Sequence, residues 1–98
     1  MKHAGDDTLS QLEDLVLGLR GISWLRETRP GNFYRGPRAF LHFHEDPTGL
    51  FADVRLDPSA PFERVSVTTR SERRRLLAAI RRTGDPQSTE DRARPRSR

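Results

Sequence analysis

The chain has no cysteine. That excludes a disulfide framework, thiolate zinc sites, iron–sulfur clusters and cysteine nucleophiles, and it fits a reducing compartment. Long apolar runs are missing too. None approaches the roughly 20 residues that span a bilayer, so no membrane partner is expected. The opening "MKHAGDD" has no apolar stretch after its Lys, so no secretory signal is read there and a cytoplasmic location is expected. No glycine-rich phosphate loop and no nucleophile elbow occur. Lysine is nearly absent: of 18 basic residues, Lys2 is the only one. Arginine codons are GC-rich, so the bias reads first as codon usage.

The formal charge is +4 and the pI about 10.9, so where the arginines sit matters more than how many there are. Hydrophobic and charged residues each make up 33%, thin for a globular core but above a wholly disordered chain. At 98 residues one domain is the default. Apolar residues concentrate between Leu9 and Ile80. The expected division is a flexible N-terminus over 1–7, a single α+β domain over 8–83, and a disordered polar tail over 84–98.

In "TLSQLEDLVLGLRG", Leu9, Leu12, Leu15, Val16 and Leu19 keep the spacing of one helical face. Thr8 with Gln11 reads as a capping box, Asp6 and Asp7 suit the positive end of the dipole, and Gly21 reads as the C-cap. "ISWLRET" (22–28) predicts a strand and "RPGN" a turn. "FYR" reads as a short extended piece. "RAFLHFH" and "LFADVRL" (50–56) predict a hairpin around "EDPTG". "FERVSVT" (62–68) alternates as a strand, with Val65 and Val67 on one face. Thr69 with Glu72 is a second capping box, opening a helix to about Arg82 with Leu76, Leu77 and Ile80 as its stripe. Gly84 and Pro86 are expected to stop it. The expected fold is an α+β two-layer sandwich. An antiparallel sheet of about four to five strands carries an N-terminal and a C-terminal helix on one face.

The central hairpin admits two registers. In one, a charge pair enters the core, which is costly without partners. In the other, Leu41 and Phe43 share an apolar face with Ala52 and Val54. The opposite face then carries His42, His44, Asp53 and Arg55, flanked by Phe40 and Phe51. Burial favours the second, with His42 roughly opposite Asp53 and with Tyr34 and Trp24 as bordering aromatics.

This face is the candidate ligand-binding patch. His-x-His on a strand is compatible with chelation, and Asp53 would be a third ligand. The pair lacks an identified complete ligand set, so no metal centre and no cofactor are expected. A His beside an Asp suits general-base work, with Ser66 or Tyr34 as nucleophiles on paper. A chain this small has little room for a deep pocket, so a non-enzymatic role is favoured. The patch would take a small ligand, such as an anion on Arg55 and the histidines, or a protein partner. With exposed aromatics it would also serve a second copy of the chain as a homodimer. The alternative is a nucleic-acid-binding protein using Arg73, Arg74, Arg75, Arg81 and Arg82 of the last helix. No catalytic residue is assigned.

At "YRGPRAFLHFHEDPTGLFADVRL" the sequence resembles a group of small bacterial proteins known as the "luciferase domain" family. The resemblance implies an α+β domain with no settled activity. It implies no light production, and no catalytic residues carry over from it. A fainter likeness, in the order of elements, is to small α+β "double-wing" proteins with a DNA-binding association.

Overall fold

Alternation of buried and half-buried residues over 41–44 of the longest strand sets the architecture. A computed structural model describes residues 2–83; the expected polar tail and the Gly84–Pro86 stop lie outside them. The order is β1 (Lys2–His3), α1 (Asp6–Gln11), α2 (Glu13–Arg20), β2 (Arg26–Glu27), β3 (Phe33–Arg35), β4 (Arg38–Asp46), β5 (Gly49–Val54), β6 (Glu63–Ser66) and α3 (Arg70–Thr83). The strands form one antiparallel sheet in the order β2-β3-β4-β5-β6, with β1 pairing β4 as well. The α+β sandwich expected from the sequence is therefore present.

The β4–β5 register pairs Leu41 with Val54, His42 with Asp53, and Phe43 with Ala52. Leu41, Phe43, Ala52 and Val54 are each at most 2% exposed. Leu12, Leu15, Val16 and Leu19 join them with Leu76 and Ile80 in a single core. Truncating one such side chain, for example Leu41→Ala, costs about 2–5 kcal/mol. Helices α2 and α3 meet closely at Gly18, where a Cβ would stand 2.5 Å from Leu77 Cδ2. No described helix is long and apolar enough to cross a membrane.

Several local expectations are corrected. The first helix is broken at Leu12 and begins at Asp6, with Gly5 as its N-cap. Thr8 therefore lies inside α1, and no Thr8–Gln11 capping box forms. Glu45 takes over the first turn instead: its Oε2 accepts from Gly5 N at 3.0 Å and from Thr8 Oγ1 at 2.7 Å. Residues 2–7, where a flexible N-terminus was expected, carry β1 and the start of α1.

The strand expected over 22–28 shrinks to Arg26–Glu27. Ile22 and Leu25 close backbone turns onto Leu19 and Ile22, so the segment spends its apolar residues on the core without entering a ladder. The turn at 29–32 does form. Asn32 N donates to Arg29 O at 2.8 Å, with Pro30 in second place and Gly31 at φ 81°, the left-handed position a type II turn requires. The second capping box also forms. Thr69 N donates to Glu72 Oε1 at 3.0 Å, and Glu72 N donates to Thr69 Oγ1 at 3.1 Å.

Candidate functional site

With Leu41 and Phe43 turned to the helices, the pleat turns His42 and His44 to the open face. Asp53 joins them from β5 and Arg64 from β6, since the ladder pairs His42 with Asp53 and Asp53 with Arg64. The closest histidine contact is diagonal: His44 Nε2 lies 2.9 Å from Asp53 Oδ2. The His42 and His44 rings meet edge to face, with centroids 4.8 Å apart. Phe62 backs His42 at 5.1 Å. The cluster is half-buried rather than solvated.

Arg64 grips the carboxylate with both arms. Its Nε donates to Oδ1 at 2.8 Å and its Nη2 to Oδ2 at 2.9 Å. These hydrogen bonds hold the Asp53 carboxyl below its ordinary range, burial opposes them, and the charges of His44, Arg64 and His42 add to the lowering.

Three expected members of the patch sit differently. Arg55 does not pair with Asp53; its guanidinium lies over the Phe62 ring at 4.4 Å. Phe40 is no flanking surface aromatic. It falls at a β-bulge, the extra β4 residue between the Phe33–Leu41 and Tyr34–Ala39 pairs. It is 2% exposed and edge-on to Trp24 at 5.7 Å. Phe51 is half-buried opposite His44. The exposed aromatics invoked for a homodimer are thus absent from this face. The exposed large apolar residue among those described is Leu17, on α2.

At the other end of the face, Arg35, Arg38 and Arg55 line a cleft of about 220 Å³ floored by Phe40, with Ala39 and Pro58 beside it. Arg38 Nη1 donates to Pro58 O at 2.7 Å, and Arg35 lies over Trp24 at 4.3 Å. Arg55 Nε is buried with no hydrogen-bond partner. A larger open groove of about 810 Å³ runs between α1 and the turn after β2. It holds none of the histidine cluster, so size alone does not make it the site. Tyr34 lines that groove beneath Arg26.

The arginines of α3 do not act as a set. Arg73 is a structural tie: Nε donates to Asp14 at 2.8 and 3.1 Å, and Nη1 to the carbonyls of Val67 and Thr68 at 3.0 and 2.9 Å. It leaves the basic face. Arg74, Arg75, Arg81 and Arg82 are exposed, as is Arg70 at the helix start.

Phe62 and Arg64 escaped the sequence reading although their signal was present. The alternation that turns Val65 and Val67 inward turns residues 62 and 64 outward, beside Asp53. Comparison with known proteins adds no assignment: no family model matches the chain, and neither a curated protein nor a solved structure matches it.

Proposed function

We propose that the chain is a cytoplasmic binding domain rather than an enzyme. It takes a small anion, a carboxylate or phosphate group, at the arginine end of its open sheet face. The carrying observation is that Arg55, whose Nε is buried without a hydrogen-bond partner, lines one cleft together with Arg35 and Arg38. A buried donor left unsatisfied costs about 1–3 kcal/mol, and an anion seated against it after a small shift of the Arg55 side chain removes that cost. Guanidinium groups match the planar oxygens of carboxylate and phosphate. A volume of about 220 Å³ suits a small group. Across Phe62, the histidine–aspartate cluster extends the same polar face.

The hydroxyls favour binding over catalysis. Ser66 Oγ donates to Glu72 at 2.9 Å, and Tyr34 lies at the far edge beside Arg26. The test is an NMR titration with inorganic phosphate and with benzoate at constant ionic strength. Saturable shifts at the Arg55 Nε–H and the Phe40 amide, abolished in Arg55→Met, are the expected result. Shifts that never saturate, or that survive in Arg55→Met, overturn the reading.

A second reading rests on α3. Its exposed arginines are accompanied within the helix by one acid, Glu72, which is engaged by Thr69 and Ser66. Such a face meets phosphates of nucleic acid. Affinity for a short DNA duplex would then fall steeply with salt, and Arg74→Gln with Arg81→Gln would flatten the slope by about one unit per lost phosphate contact. Salt-insensitive binding removes this account.

A further inference from the structure

The histidine end of the sheet face holds a donor set that anion binding does not use. His42 and His44 are two apart on β4, so both imidazoles leave the same face. Asp53 stands directly across the ladder from His42. One ligand atom from each of the three lies within 4.8 Å of the others. We infer that His42, His44 and Asp53 form a three-ligand site for a divalent transition-metal ion of the zinc, nickel or copper class, leaving a further coordination position open.

The donors select the class. Two imidazole nitrogens and one carboxylate oxygen suit zinc, copper and nickel, whereas magnesium and calcium take all-oxygen sets. The spacing fits as well. Donors at about 2.0–2.1 Å from zinc stand about 3.3 Å apart at the tetrahedral angle. The present separations run from the 2.9 Å of His44 and Asp53 up to 4.8 Å, so modest side-chain rotation closes the set. A carboxylate offers about four acceptor positions. Arg64 fills two from outside the cluster, which leaves the histidine side available and fixes the carboxylate's orientation. All three ligands stand on adjacent strands of a continuous ladder, so little chain entropy is lost on binding.

The experiment uses the full chain without a histidine tag, in a buffer free of phosphate and carboxylate. Failure at the arginine cleft and failure here are thereby read separately. Zinc is titrated by calorimetry and cobalt by its visible absorption. The expected result is one equivalent bound, with the bands of four- or five-coordinate cobalt. His42→Ala, His44→Ala and Asp53→Asn are each expected to weaken affinity about tenfold or more. Because a variant can lose its fold, the imidazole resonances of wild-type protein are followed in the same titration. His42 and His44 should shift together and saturate at one equivalent. Zinc binding that leaves either resonance unmoved, full affinity in a folded His42→Ala variant, or no binding by the wild type overturns the inference.

Discussion

His44 Nε2 meets Asp53 Oδ2 at 2.9 Å although the residue paired with Asp53 in the ladder is His42. Diagonal neighbours on a twisted sheet lie within reach of long side chains, so one carboxylate holds His44 and Arg64 while facing His42 across the ladder. Arg64's hydrogen bonds, the largest influence on it, hold the Asp53 carboxyl below its ordinary value. A depressed folded value means stability that is present above the unfolded carboxylate pKa of about 4 and lost as pH falls through the folded value. Asp53→Asn should therefore destabilise the domain by about 1 kcal/mol near neutral pH, the ion pair being partly screened at the exposed Arg64. Urea melts should show the gap between wild type and variant narrowing under acid. A gap that is constant with pH would mean the carboxylate's charge does not stabilise the fold.

Gly18 is where α2 approaches α3. A side chain there meets Leu77 first, with Cδ2 at 2.5 Å and Cδ1 at 3.3 Å, so Leu77 must shift to make room. Gly18→Val should cost about 2 kcal/mol through overpacking. Adding Leu77→Ala should recover part of that loss, so the double variant will be more stable than the sum of the single effects predicts. Strictly additive chemical-denaturation energies would show that the contact is not what limits this position.

Arg73 and Arg74 are neighbours with opposite roles. Arg73 joins α3 to Asp14 and to the end of β6 through four hydrogen bonds, while Arg74 is exposed. Arg73→Met should lose about 2 kcal/mol of stability, because Asp14 and two carbonyls lose a charged donor. Arg74→Gln should stay within about 0.5 kcal/mol of wild type. Thermal melts of the two variants decide it; equal effects would remove the distinction between tie and surface charge.

The β4–β5 hairpin was legible because one register alone keeps charge out of the core, and that choice placed His42, His44 and Asp53 together. The final helix was legible because its cap, stripe and spacing agree. Other features depend on contacts distant in sequence. Nothing near Thr8 signals that Glu45, 37 positions away, will take its hydroxyl. Arg73 looks like its basic neighbours until Asp14 is placed across from it. Trp24 and Leu25 carry strand-like composition, yet the core claims their apolar bulk before a ladder forms. Phe40 kept the parity of a surface position, and only the bulge against β3 reveals its burial.

Two capping boxes were written in the sequence and one exists, which makes them a controlled pair. Around Thr69 both reciprocal bonds are made, at 3.0 and 3.1 Å. Thr69→Ala should lose about 1 kcal/mol, as loss of an N-cap hydroxyl does. Gln11→Ala should fall within about 0.5 kcal/mol of wild type, since its side chain has no capping role to lose. The cap of α1 comes from the sheet, so Glu45→Ala should act there instead. It strips the acceptor from Gly5 N and from the buried hydroxyl of Thr8. Amide hydrogen exchange reports the difference by place: Glu45→Ala should speed exchange in α1, Thr69→Ala in the first turn of α3, and Gln11→Ala in neither. If Gln11→Ala loosened α1 as much as Glu45→Ala does, the helix would be capped from within its own sequence after all.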